Sequence, residues 1–168
     1  MTRLVLLAAP LVLMTGCSTP PEMEALLPPP ARAIIDSPDS VRACRLNLGP
    51  YPQGTKRPES WPEVPTVAEV PIEGALRDEV CRLLLDPASY AWEGKGCRPH
   101  PGVKFQFKKG SSTVEVYLCL ECFMLTYRAE IPENPYWGNF DPIAPAVLRI
   151  VKGLFPNDAE IQALFRRG

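Results

Sequence analysis

The fold is decided by the segment Val103-Lys104-Phe105-Gln106-Phe107-Lys108-Lys109-Gly110-Ser111-Ser112-Thr113-Val114-Glu115-Val116-Tyr117-Leu118-Cys119-Leu120, in which apolar and polar side chains alternate on both sides of a Gly-Ser turn. Alternation with a period of two is typical of strands that bury one face. A turn centred at Gly110-Ser111 pairs Phe105 with Val116 and sets the apolar side chains of both strands on one face. The segment therefore predicts an antiparallel hairpin.

Further elements are predicted on either side of this hairpin. Residues 123–128 continue as a third strand and make the sheet a meander, and residues 90–92 form a short strand. Apolar residues at helical spacing predict a helix over 73–85. A second helix begins at Asp141-Pro142, and a last one covers 158–166, with Asn157 and Glu160 as a capping pair. This order predicts an α+β fold, with helices packed against a small antiparallel β-meander.

Proline is concentrated in the first half of the chain. Twelve of the 21 prolines lie between Ser18 and Pro71. Proline-rich chain favours extended conformations that act as spacers. We therefore divide the sequence into a signal peptide (1–16), a Pro-rich tether (17–43), a Pro-rich irregular arm (44–71) and an α+β domain (72–168).

The N-terminus has the form of a secretory signal. Arg3 precedes an apolar stretch from Leu4 to Leu13 that is too short to span a bilayer, and small residues follow at Thr15-Gly16-Cys17. This ending resembles the lipobox of bacterial lipoproteins. The alternatives are an ordinary signal peptide with a cysteine near the cleavage point by chance, and a cytoplasmic protein with an apolar N-terminus.

The resemblance implies a location. In lipoproteins the signal is cut before the cysteine, which carries palmitate-type acyl chains, so Cys17 is the predicted lipidation site. The serine that follows it implies the outer membrane if the source is a Gram-negative cell. The sequence thus predicts a lipid-anchored protein of the bacterial cell envelope, with the membrane as its first partner.

Composition narrows the function. The formal net charge is −1, so the chain lacks the strong basic field that nucleic-acid binding requires. The sequence has no G-x-S-x-G, P-loop or G-x-G-x-x-G motif, and it has one histidine, His100. These features indicate a binding or accessory module rather than an enzyme, with an unidentified envelope protein or glycan as partner.

Five cysteines remain after Cys17, and exported cysteines usually form disulfides. The hairpin register places Cys97 at the same end of the sheet as Cys119-Leu120-Glu121-Cys122. We therefore expect a disulfide between Cys97 and one of this pair, with a turn or bulge redirecting one side chain. Because five is odd, at least one cysteine stays free; Cys44 and Cys81 are the other candidates.

Three alternatives stay open for these residues, and the first is that they are buried or unreacted thiols. Cys97, His100, Cys119 and Cys122 form two C-x-x-C/H hooks joined by a hairpin, as in zinc ribbons, which would make zinc a structural cofactor. Otherwise no cofactor is expected. Cys119 and Cys122 also form a C-x-x-C pair, the motif of thiol–disulfide redox proteins, although such a motif usually opens a helix.

A cluster of aromatic residues is the remaining surface candidate. The loop Pro135-Tyr136-Trp137-Gly138-Asn139-Phe140 carries three aromatic side chains. Exposed rings of this kind stack on sugars or bind protein partners. Tyr136, Trp137 and Phe140 are therefore candidate binding residues, and the alternative is that they close one end of the core.

From Lys95 to Leu164 the sequence resembles a group of small uncharacterised bacterial proteins with a C…LCxxC hairpin. The similarity lies in Lys95-Gly96-Cys97, in the return strand ending Leu118-Cys119-Leu120-Glu121-Cys122, in Phe140-Asp141 and in the tail from Leu154 to Leu164. The resemblance implies shared cysteines, and so a thiol pair or structural bond rather than zinc. It implies no substrate.

Overall fold

A computed structural model describes residues 20–47, 66–97, 99–129 and 136–164. Cys17 and the middle of the predicted arm lie outside these residues. The described elements are α1 (Pro21–Leu26), α2 (Pro29–Asp36), β1 (Ser40–Leu46), β2 (Thr66–Ile72), α3 (Gly74–Leu85), β3 (Val103–Lys109), β4 (Ser112–Cys119), β5 (Met124–Arg128), β6 (Gly138–Asn139), α4 (Ala144–Leu154) and α5 (Ala159–Ala163).

The strands form one six-stranded sheet in the order β2-β1-β3-β4-β5-β6, with every neighbouring pair antiparallel. The predicted hairpin register is confirmed, because Phe105 pairs with Val116 across β3 and β4. Gly110 has a φ of 57° in the connecting turn, a conformation that glycine adopts without a Cβ clash. The sheet and its helices confirm the α+β class.

Regular structure begins earlier than the sequence predicted. Two helices and two strands, α1, α2, β1 and β2, come before residue 73, where the sequence suggested a tether and an irregular arm. Proline explains the difference. Pro21 and Pro29 occupy the first turns of α1 and α2, where the missing N–H has no partner to lose. Pro71 lies on β2 at the edge of the sheet, where proline is also tolerated.

Three of the remaining predictions need correction in detail. Residues 90–92 form no strand; only Ala91 makes an isolated bridge, to Asn139. The helix predicted from Asp141 opens as a 3-10 turn before α4. The last helix begins at Ala159 and ends at Ala163, and residues 165–166 of the prediction lie outside the described residues. Its N-cap is Asp158, whose carboxylate accepts a 2.9 Å hydrogen bond from the Ile161 N–H, rather than Asn157. The helix over 73–85 is confirmed as α3.

The core lies between the helices and one face of the sheet. Phe105 and Phe107 of β3 and Val116 and Leu118 of β4 are at most 2% exposed on this face. The neighbouring positions, which point to the other face, are also buried at Cys44, Tyr117 and Cys119. Both faces of the central strands are therefore covered.

Candidate functional site

Three cysteines meet at one end of the sheet, and we call Cys97, Cys119 and Cys122 the cysteine corner. Strand β4 ends at Cys119, which pairs with Met124 of β5, so residues 120–123 form a four-residue hairpin turn. Phe123 closes this turn with a left-handed φ of 53°. The turn supplies the change of direction that a straight strand lacks, and it carries Cys122 toward Cys97.

Cys97 and Cys122 lie at disulfide distance, with their Cα atoms 6.3 Å apart. The partner of Cys97 is therefore Cys122 and not Cys119. Cys97 is exposed, whereas Cys122 is half-buried. The loop that leads to Cys97 is also held by Lys95. Its ammonium group donates a 2.9 Å hydrogen bond to the Cys122 carbonyl and forms an ion pair with Asp141.

Cys119 remains a thiol beside this pair. It is 1% exposed, and its Sγ accepts a hydrogen bond from the backbone N–H of His100 over 3.2 Å. The side chain of His100 is not the group that makes this contact. Within the described parts of the chain, no three His, Cys, Asp or Glu side chains are placed to hold a metal ion.

The other two disulfide candidates lie away from the corner. Cys44 is on β1, and Cys81 is on α3. Both remain thiols. Burial raises the pKa of Cys44, and the carboxylate of Glu69 raises it further. Burial also raises the pKa of Cys81. Both thiols are therefore poorly ionised at neutral pH and weak as nucleophiles.

The aromatic candidates divide between surface and core. Tyr136 is 59% exposed, and Trp137 is half-buried. Phe140 is fully buried and packs edge-on against Phe123, with ring centroids 5.8 Å apart, so it is not a surface residue. A second exposed ring, Trp92, was not predicted from the sequence. It is 40% exposed and stacks on the buried Tyr90 with centroids 5.2 Å apart.

A hydrogen-bonded cluster on the second face of the sheet was also missed, and we call Lys104, Gln106, Glu115 and Tyr117 the polar network. The carboxylate of Glu115 accepts hydrogen bonds from Lys104 Nζ (2.6 Å), Gln106 Nε2 (3.1 Å) and the Tyr117 hydroxyl (2.6 Å). The predicted register contained the signal for it, because it sets Gln106 opposite Glu115 and Lys104 opposite Tyr117.

Electrostatics keep Glu115 ionised. Burial alone would raise its pKa, but hydrogen bonds from Lys104 and Tyr117 outweigh burial and leave the pKa below its usual value. Burial and the bond to Glu115 raise the pKa of Tyr117 well above its usual range. Glu115 is thereby held as a carboxylate and Tyr117 as a neutral phenol at neutral pH. Such a hydrogen-bonded network specifies structure.

A buried arginine on β1 connects this strand to α5 through ion pairs. The Arg45 guanidinium donates to Asp158 over 2.7 Å, pairs with Glu160, and donates to the carbonyl groups of Leu46 (2.8 Å) and Gly102 (3.0 Å). These four acceptors satisfy a group that is costly to bury alone. These contacts therefore explain the burial of Arg45 as part of the fold.

A groove lies between the C-terminal end of α2 and α3. Its volume is about 730 Å³. Six of its nine lining residues are polar or charged, and the nine are Asp36, Ser37, Pro38, Arg77, Asp78, Cys81, Arg82, Leu85 and Asp86. Acidic and basic side chains are both present, so the groove suits a polar partner that carries charges of both signs.

No protein-family model, curated protein or solved structure matches the chain. Among the helices that the structure describes, none combines the length and the apolar character of a bilayer-spanning segment.

Proposed function

We propose that the protein is a lipoprotein of the bacterial cell envelope, anchored by acyl chains on Cys17, and that its α+β fold serves as a binding or accessory module. The approach of Cys97 to Cys122 carries the proposal beyond the signal sequence, because disulfides form and persist in exported proteins. It supports the same compartment that the resemblance of Thr15-Gly16-Cys17 to a lipobox implies.

The anchor follows from the energetics of acyl chains. Each buried methylene contributes about 0.8 kcal/mol, and a single chain binds a membrane only marginally. Two or three chains on one cysteine hold a protein there stably. We therefore expect stable membrane association of this protein to require Cys17.

Replacing the acylated residue tests the anchor. We expect Cys17→Ser to move the protein from the membrane fraction to the soluble fraction, and intact mass to show the loss of the acyl chains. Cys81→Ser is the matched control, because it makes the same chemical change at a thiol in α3. A Cys17→Ser variant that stayed with the membrane would overturn the proposal.

The groove between α2 and α3 is the surface that we assign to the partner. It presents Arg77 and Arg82 beside Asp78 and Asp86. Charges at a rim steer association and select partners by complementarity. An envelope protein or a charged glycan has groups that match such a surface.

Site-specific crosslinking tests this assignment. A photo-crosslinking residue at Arg82, which is exposed, should capture a discrete species in native envelopes. The same residue at Val67, which is 58% exposed on β2, is the control. Arg77→Glu should abolish the Arg82 product. Equal capture from both positions, or capture that survives Arg77→Glu, would exclude the groove.

The exposure of Cys97 favours thiol–disulfide exchange as a second candidate. The thiolate of an envelope protein would attack Cys97 Sγ, form a mixed disulfide there and release Cys122 as a thiolate. Exposed disulfides are the ones that undergo such exchange. The sequence assigned redox chemistry to Cys119 and Cys122, whereas the structure brings Cys122 to Cys97.

Intact mass distinguishes a disulfide that undergoes exchange from a purely structural one. The chain lacking residues 1–17, purified from an oxidising compartment and unfolded, should take up three alkyl groups, at Cys44, Cys81 and Cys119. Prior reduction should raise the number to the five cysteines that follow Cys17. Reduction of the bond by a mild glutathione buffer would favour exchange, and resistance would favour a structural bond. One stoichiometric zinc ion, found by metal analysis of the same protein before unfolding, would overturn both interpretations.

A further inference from the structure

We propose that the protein lies with one edge of its sheet on the membrane, so that Trp92 and Tyr136 reach the level of the lipid headgroups. We call these two side chains the aromatic edge. The inference rests on the proposed lipid anchor at Cys17 and adds to it a defined contact surface, with a zwitterionic lipid interface as the partner.

The first observation is that only a short stretch of chain separates the proposed anchor from the fold. Helix α1 begins at Pro21, four residues after Cys17. A fully extended chain spans at most about 3.6 Å per residue, so Cys17 stays within about 14 Å of Pro21 in any conformation. The sequence suggested a long tether that lifts the fold off the lipid. The position of α1 leaves room for only a short one.

The second observation is that α1 packs against the β6 edge of the sheet. A Cβ at Gly138 would clash with Leu26 Cδ2 and lie 3.3 Å from the ring of Tyr90, so α1, β6 and Tyr90 are in close contact there. Trp92 stacks on Tyr90. Tyr136 comes two residues before Gly138, and its carbonyl accepts a 2.8 Å hydrogen bond from Thr126 Oγ1, which fixes its backbone to β5.

The third observation is the chemistry of the exposed side chains. Three large hydrophobic residues are exposed in the described parts of the chain, Val67, Trp92 and Tyr136. Two of them form the aromatic edge, and Trp and Tyr are the residues that membrane–water interfaces favour. Val67 lies on β2 at the opposite edge of the sheet. With strands about 4.8 Å apart, the two edges are separated by about 24 Å.

The charged side chains near the aromatic edge favour one type of lipid headgroup. Glu22 and Glu24 are exposed on α1, and Glu93 is exposed beside Trp92. Carboxylates at the surface are repelled by anionic headgroups. A zwitterionic surface therefore fits this edge better than an anionic one.

Depth-dependent fluorescence quenching tests the proposal. The acylated full-length protein is incorporated into phosphatidylcholine vesicles whose acyl chains carry bromine near the headgroup end. The Trp92 contribution is the emission lost in Trp92→Phe. We expect the brominated lipid to quench most of this contribution, and an admixture of anionic lipid to weaken the quenching.

A tryptophan at the opposite edge is the matched control. In the Trp92→Phe background, Val67→Trp should add emission that the brominated lipid leaves intact, whereas Tyr136→Trp should add emission that is quenched. Tyr136→Trp also keeps the test informative if Trp92→Phe disturbs the ring stacking on Tyr90, because it reports on the lipid from a second position. Intact Trp92 emission, or equal quenching of the two introduced tryptophans, overturns the aromatic edge.

The test separates this inference from the anchor on which it rests. Mass spectrometry of the same sample reports whether Cys17 is acylated. An acylated, vesicle-bound protein with unquenched Trp92 refutes the contact surface and leaves the anchor standing. A protein without acyl chains refutes the anchor and, with it, the contact surface.

Discussion

Both faces of the central strands β3 and β4 are largely shielded from water, but one face consists of apolar side chains and the other includes charged ones. On the helix-covered face, Phe105, Val116 and Leu118 are at most 2% exposed and make apolar contacts. On the other face, Lys104 and Glu115 have side chains that are 14% and 16% exposed and form an ion pair at 2.6 Å.

The difference between the faces lies in how each tolerates change. Apolar burial stabilises roughly in proportion to area, so the first face loses stability gradually as atoms are removed. A buried polar group is tolerated only while its partners are present, so the second face depends on a complete set of hydrogen bonds. Substitutions on the two faces should therefore differ in size and in how they combine.

The largest effect is expected on the apolar face. Phe105→Ala should lower the free energy of unfolding by about 3–5 kcal/mol, because it removes a ring from the centre of β3 and leaves a cavity. Denaturant unfolding of the chain lacking residues 1–17 measures the loss. Phe105→Leu is the control and should cost clearly less. A loss below about 1 kcal/mol would mean that this face is not the core.

The next effect tests the completeness of the polar network. Glu115→Ala should cost about 2 kcal/mol, because it leaves the Lys104 ammonium and the Tyr117 hydroxyl without their shared acceptor. The double variant Lys104→Met/Glu115→Leu removes both charges and should be markedly more stable than Glu115→Ala. Lys104→Met and Glu115→Leu are also measured singly; if their two losses simply added up to that of the double variant, the polar network would not act as a unit.

A smaller effect should appear as a dependence of stability on pH. The folded-state pKa values of Glu115 and Asp158 are lowered, since hydrogen bonds outweigh burial at both carboxylates. Their contribution is complete above the unfolded values of about 4.3 and 3.9, and it is lost as the pH falls through the lower folded values. Protonation costs less than deletion because the neutral carboxyl still forms hydrogen bonds.

Unfolding curves measured between neutral and acidic pH check this dependence. Glu115→Gln should be less stable at neutral pH but should lose less stability on acidification, because one of the two carboxylates no longer titrates. An unchanged acid dependence in this variant would show that Glu115 has an ordinary pKa in the folded protein.

How far the sequence predicts this fold depends on the kind of signal. The hairpin register could be derived because one period-two pattern runs through both strands and a Gly-Ser turn joins them. Strand β1 has a similar alternation, with Val41 and Ala43 buried, but it lies between proline-rich stretches and pairs with strands that are distant in the chain. Local periodicity carries no information on such pairing, so the position of β1 between β2 and β3 could not be derived.

The cysteine corner illustrates the same limit. The register placed Cys97 at the correct end of the sheet, but the choice between Cys119 and Cys122 depended on the turn over 120–123. A left-handed phenylalanine closes that turn. Phenylalanine seldom adopts this conformation, so no pattern of residues in the turn predicts it. Glycine at position 123 would have been the ordinary signal.

The smallest effect is expected where the second face meets solvent. Arg42 and Glu69 form an ion pair at 2.7 Å, nearly the same length as the Lys104–Glu115 pair, but their side chains are 49% and 46% exposed. Water screens such a pair and takes over its hydrogen bonds when one partner is lost, so Arg42→Ala should cost at most about 0.5 kcal/mol. Added salt should remove even this difference. A cost as large as that of Glu115→Ala, measured by the same unfolding assay, would mean that burial does not set the strength of ion pairs on this face.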